Sequence, residues 1–221
     1  MRKIKILIAD DHAVVRDGTR QILEQEADLD VVAEAADGAE AIKLAGSSKP
    51  DVAIIYIAMP GVDGIEATRQ IKSLYPTIAV LILSAYDDDQ FVFSLLEAGA
   101  AGYLLKSVRG RELIDAVRQV YAGESVLYPS IARKVLNRFV PTSGKAAGQK
   151  PTEVLSDREI EVLRLATPGL SNQDIADELC LSLRTVQAHL GHIFNKLQVS
   201  SRTEAVVRAL KEGWVTLEDI P

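Results

Sequence analysis

The chain has 221 residues, a net charge of −6 and 48% apolar residues. Its length suits one large or two small domains, and no apolar run approaches the ~18 residues that a membrane helix needs. The single cysteine, Cys180, excludes an internal disulfide and fits a cytoplasmic protein, and the acidic balance means that any nucleic-acid reading must rest on local geometry.

Residues 3–122 alternate between short apolar runs and amphipathic stretches. The runs at 4–9, 31–35, 52–57, 78–83 and 102–105 read as strands, and the stretches at 14–24, 39–45, 65–74, 90–97 and 112–121 read as helices. The apolar start is too short and too quickly acidic for a signal peptide. Five β units alternating with five α units predict a doubly wound parallel sheet covered by helices on both faces. In such sheets ligand chemistry collects at the carboxyl ends of the strands. Asp10, Asp11, Tyr56, Ser84 and Lys106 all fall there.

Each of these residues has a plainer reading when taken alone. Paired carboxylates can hold a hard divalent cation, but Asp11 can equally cap the helix that follows. Ser84 is a common strand-end turn former, and Lys106 a solvated lysine or a partner for the acidic pair. Together and in this order they are more specific. The segment Pro-Asp-Val-Ala-Ile-Ile-Tyr-Ile-Ala-Met-Pro-Gly, residues 50–61, resembles the third strand and loop of bacterial response-regulator receiver domains.

That resemblance implies magnesium ligands at Asp10 and Asp11, a switch hydroxyl at Ser84, a phosphate-binding lysine at Lys106 and an aromatic at Tyr103 that swings inward on activation. It also implies a phosphoacceptor aspartate at position 56, with a sensor histidine kinase as donor. Position 56 is Tyr56 instead. A phenol, with a pKa near 10, cannot make the acyl phosphate or replace a carboxylate as a hard metal ligand. Magnesium affinity should therefore be weakened, and the kinase partner is left open. Bulk, with a hydroxyl contact to Asp11 or Lys106, is one way for Tyr56 to lock the domain. Simple loss of phosphorylation, or an engineered or silenced variant, is another. Asp51 and Asp63 flank the site at the strand start and in the loop, and neither is placed as a substitute acceptor.

Beyond 122 the periodicity weakens. Residues 130–140 can make one helix, and 141–151 is a small, polar, Pro/Gly-bounded stretch, giving a linker over 123–152 between domains at 1–122 and 153–221. Four short helices follow. Capping boxes at Ser156/Glu159 and Ser201/Glu204, a weaker relative at Ser171/Asp174 and a cap at Ser182 mark their starts. A turn of about three residues, Cys180-Leu-Ser182, joins the second helix to the third, which is the signature of a helix-turn-helix.

On the third helix, Val186, Leu190, Ile193, Phe194 and Leu197 share one side, so Arg184, Ala188, Gly191 and Asn195 point away, flanked by Gln187 and His192. Gln suits adenine, Ala a thymine methyl, and Arg a phosphate or guanine. Thr185, Lys196 and Arg202 are candidate phosphate contacts, and His189 sits at the packed edge. For each polar residue alone, a solvated helix face is the plainer reading. The stretch Leu-Ser-Leu-Arg-Thr-Val-Gln-Ala-His-Leu, with Phe-Asn-Lys-Leu-Gln-Val-Ser-Ser-Arg-Thr-Glu-Ala-Val after it, resembles the LuxR-type DNA-binding domain. A receiver joined to such a domain is the architecture of NarL/FixJ-type response regulators. It implies a sequence-specific regulator that binds double-stranded DNA as a homodimer. Leu210 and Trp214 are candidate dimer contacts or local core anchors. In this family lysines often stand where Gln187 and Gly191 stand here. The alternative is a receiver-like module that sequesters a kinase or another regulator. Phosphate-cradling glycine motifs and His/Cys clusters are missing, which argues against an enzyme.

Overall fold

A computed structural model of the chain describes residues 2–84, 94–126 and 155–215. The expected helix at 130–140 and the linker at 141–151 lie outside these residues. The chain divides into two compact units, Met1–Tyr128 and Pro129–Pro221.

The first unit runs β1 (Ile4–Ala9), α1 (Ala13–Glu24), β2 (Leu29–Ala35), α2 (Gly38–Ser48), β3 (Val52–Tyr56), α3 (Gly64–Leu74), β4 (Ala79–Ser84), β5 (Gly102–Leu105) and α4 (Gly110–Tyr121). Residues 94–97 are helical, within the stretch expected at 90–97. The five strands form one parallel sheet in the order β2-β1-β3-β4-β5. Neighbouring strands end level, with Ala9 beside Ile55, Tyr56 beside Leu83 and Ser84 beside Leu105. Chain direction across the sheet reverses between β1 and β3, where open parallel sheets form a crevice.

Near-continuous apolar strands fit a sheet buried on both faces. Ile4, Ile6, Ile8, Val52, Ile54, Leu81 and Leu83 pack with Leu23 of α1 and with Leu113, Ile114, Val117 and Val120 of α4. The alternate residues Leu7, Ala53, Ile55, Val80 and Ile82 are equally buried, as are Ala41, Ala45, Ala67 and Ile71 of α2 and α3. Asp37 and Asp63 begin α2 and α3 by accepting the N–H groups of Glu40 and Glu66, each at 2.8 Å. Gly64 cannot carry a side chain, because a Cβ there would lie 2.3 Å from the Tyr56 carbonyl oxygen.

The second unit contains α5 (Asp157–Ala166), α6 (Asn172–Glu178), α7 (Leu183–Leu197) and α8 (Arg202–Lys211). Leu155, Ile160, Leu163, Ile175, Val186, Leu190, Ile193, Leu197, Ala205 and Trp214 form its core. Trp214 and Leu210 are both buried within the unit, Trp214 in its core. The α6–α7 turn holds four residues, 179–182, one more than the sequence suggests. It closes with the Leu181 N–H on the Ala176 carbonyl at 2.8 Å, and Cys180 takes a positive φ of 53°.

Capping explains the helix starts. Ser156/Glu159 forms the reciprocal box, and so does Ser171/Asp174, which is therefore as complete as the first. Ser201 accepts from the Glu204 N–H, but the Glu204 carboxylate turns to the N–H and hydroxyl of Ser200. Ser182 caps α7 by accepting from the Thr185 N–H.

Candidate functional site

Asp10 leaves β1 at the crevice and is 2% exposed. Its Oδ1 accepts the His12 N–H at 2.9 Å, and its carbonyl accepts from Arg16 Nη1 at 2.5 Å. Its Oδ2 lies 2.6 Å from Lys106 Nζ. Lys106 is set in place by its own backbone, whose N–H donates to the Ser84 carbonyl at 2.6 Å across the β4–β5 end. The ammonium also stands 3.3 Å from the centroid of the buried Tyr56 ring. At this distance a cation on a ring face is attracted by the ring quadrupole. The His12 ring meets Tyr56 edge-on, with centroids 6.1 Å apart.

The strand ends thus bring Asp10, Tyr56, Ser84 and Lys106 together. Ser84 and Tyr103 are each 1% exposed. Lys106 pairs with Asp10, one of the two carboxylates the sequence offers it, and meets Tyr56 through the ring face. One detail differs from the sequence reading. Asp11 does not cap α1: the cap position is His12, without a side-chain cap, and the Asp11 carboxylate instead lies 2.8 Å from His12 Nδ1. Asp51 receives Arg2 at 2.7 Å and the Lys5 N–H at 3.0 Å, and Asp63 caps α3. Both are held by structural bonds.

Among the described residues, Asp10, Asp11 and His12 could share a cation, with ligand atoms within 4.8 Å of one another. Magnesium asks for a near-octahedral shell of hard oxygens. Here one oxygen of Asp10 carries an ammonium, Asp11 pairs with an imidazole, and Tyr56 contributes an aromatic face. A magnesium ion at this cluster would have to displace Lys106 from Asp10 and His12 from Asp11.

In the second unit, α7 buries Val186, Leu190, Ile193 and Leu197. Arg184, Gln187, Ala188, His192 and Asn195 are exposed, while Gly191, Thr185 and His189 are half-buried. A Cβ at Gly191 would meet nothing within 4 Å, and its φ is not in the left-handed region. Neither packing nor backbone conformation therefore calls for a glycine that costs a helix interior about 0.5–1 kcal/mol. Its effect is on the outward surface, which it keeps flat beside Ala188. Leu183 adds an exposed apolar group at the start of the same helix, at 41% exposure. Sequence reasoning missed it because the buried stripe accounts for most leucines.

Two candidate phosphate contacts are placed differently. Arg202 is 3% exposed and donates to the carbonyls of Ala166 and Leu170 at 3.0 and 2.6 Å and to Asn172 Oδ1 at 3.3 Å. It braces the end of α5 and the α5–α6 loop against α8, so its guanidinium is turned inward. Lys196 remains half-exposed, but its Nζ lies 2.7 Å from the buried Glu159 carboxylate. Burial alone pushes the Glu159 carboxyl up. The Lys196 ammonium and the Ser156 N–H and hydroxyl outweigh it and hold the group below the usual glutamate value. The capping box made Glu159 visible in the sequence; its partner 37 residues away was not.

Comparison with known proteins finds a family for each unit. Residues 6–118 match the response regulator receiver domain, and residues 153–209 match the bacterial regulatory proteins of the luxR family. The oxygen regulatory protein NreC of Staphylococcus carnosus (strain TM300) is 43% identical over 212 residues, covering 95% of this chain and 98% of that protein. The crystal structure of ChrA, the response regulator of a heme-sensing two-component system, is 39% identical with a TM-score of 0.52. It covers 97% of this chain and all of that one. A structure of two RcsB dimers bound to two parallel DNAs is 26% identical with a TM-score of 0.56, over 96% and 99% of the two chains. Among the described residues, no helix is long and apolar enough to cross a membrane.

Proposed function

The chain belongs to the NarL/FixJ-type DNA-binding response regulators, and we propose that it reads its operators as a homodimer without a phosphoryl group at position 56. The observation that carries this reading is Tyr56 itself, whose ring lies buried under the Lys106 ammonium where the family places a phosphoacceptor carboxylate. The buried Tyr103 supports it further, because the family resemblance associates an inward aromatic with the activated arrangement. RcsB, captured as dimers on DNA, supports two-fold recognition of paired half-sites.

In this reading the exposed side of α7 enters the major groove. Gln187 reads a base, Ala188 and Gly191 allow close approach, and Arg184, Asn195, His192 and Thr185 contact bases or backbone around them. Boundaries near 122 and 153 leave the intervening segment as the connection between domains. Output then depends on the amount of protein or on a bound partner. A histidine kinase has no carboxylate to phosphorylate at position 56.

The test is DNA selection from fragmented genomic DNA by the purified, untreated protein, beside Tyr56→Asp with and without a small-molecule phosphodonor. Wild type should enrich a two-fold-symmetric motif, and phosphodonor should leave its intact mass unchanged. Enrichment only by phosphorylated Tyr56→Asp would overturn the proposal and mark Tyr56 as a silencing residue.

A further inference from the structure

We propose that Lys106 is the resident cation of the strand-end pocket, so that the first unit neither requires nor takes up magnesium. The inference rests on the reading that position 56 carries no phosphoryl group, and it names how the pocket is neutralised instead.

A carboxylate as buried as Asp10 must be compensated by hydrogen bonds and an opposite charge. Both are present. Oδ1 accepts a backbone N–H from His12, and Oδ2 lies 2.6 Å from the Lys106 ammonium. The other side of that ammonium is covered by the Tyr56 ring at 3.3 Å, a contact that a metal-binding carboxylate at position 56 could not make. Lys106 is also held from behind, through its backbone bond to Ser84. The cation therefore sits between an anion and a ring face, on an anchored strand end.

A divalent ion entering this pocket would need the Asp10 Oδ2 that Lys106 Nζ approaches to 2.6 Å, an ion-pair contact without a hydrogen bond. It would also lie within a few ångströms of a positive charge in a partly desolvated site, where like charges repel strongly. Asp11 offers only one further carboxylate and shares it with His12. The tyrosine thus does more than remove an acceptor, since its face stabilises lysine in the position that excludes the metal.

Calorimetric titration of the full chain with millimolar MgCl2 tests this, with wild type, Tyr56→Asp and Lys106→Met side by side. Wild type should give no binding heat and no magnesium-dependent change in melting temperature. Lys106→Met, which leaves Asp10 without its cation, should melt lower in chelator and recover with magnesium, binding it at least about tenfold more tightly than wild type. Tyr56→Asp should also bind, and it keeps the comparison valid if Lys106→Met does not fold. Magnesium uptake by wild type as tight as by Tyr56→Asp would overturn the inference. That result would leave phosphorylation-independent DNA binding standing, because the latter is read in the selection experiment.

Discussion

Position 202 lies in the run Ser-Ser-Arg-Thr-Glu, which reads as the exposed start of a helix, yet the guanidinium is buried against two backbone carbonyls and an amide oxygen. Arg suits such a place because its planar fork can satisfy several fixed acceptors at once. Removing it strands buried carbonyls, which cost about 1–3 kcal/mol when unsatisfied. Arg202→Met should therefore lower the stability of the second unit by about that amount. The measurement is chemical denaturation followed by fluorescence of the chain's single tryptophan, Trp214, which is buried in that unit's core. The salt dependence of DNA binding should stay as in wild type; a shallower slope would return Arg202 to the phosphate contacts.

At the scale of elements, α5 and α7 are tied by the Glu159–Lys196 pair, which also closes the α5 capping box. The Glu159 carboxyl is held below its ordinary value of 4.5 in the folded state. In acid the unfolded chain then binds the proton first. The pair's contribution is complete above the unfolded value and is lost as pH falls through the depressed folded one. The stability difference between wild type and Glu159→Gln should be largest at neutral pH and shrink steadily below about pH 4.5. Denaturation midpoints across that range measure it, and a difference that grows in acid would reverse the assignment.

At the scale of the molecule, charge limits how DNA is held. From Lys150 onward there are 8 Lys and Arg against 11 Asp and Glu, and 8 − 11 gives −3. Arg202 is buried and Lys196 is paired, so attraction to phosphate rests on few free cations. Two contacts per subunit, at about 0.9 log units each, predict a salt slope of about −4 or shallower for a dimer. Affinity must then come from two half-sites acting together. Fluorescence anisotropy across a salt series tests this: the slope should be shallow, and a monomeric variant should bind far more weakly. A slope near −8 would reveal contacts beyond α7.

The alternation of apolar runs with helical periods determined the parallel sheet and its order of elements by itself. Strand-end positions, together with the resemblance of residues 50–61 to a receiver loop, pointed to Asp10, Asp11, Tyr56, Ser84 and Lys106, and the 3.6-residue period of α7 separated its packed side from its outward side. These features are legible because they depend on spacings of two to four residues, over which the backbone dictates geometry. Tertiary structure decided which charges meet. Lys106 chose Asp10 and the Tyr56 face, Lys196 turned to Glu159, and Arg202 went inward to α5 and the loop after it. Those partners are 30 to 96 residues apart in sequence. A long side chain reaches whatever the fold brings near it, and the cost of burying an unpaired charge then selects the partner.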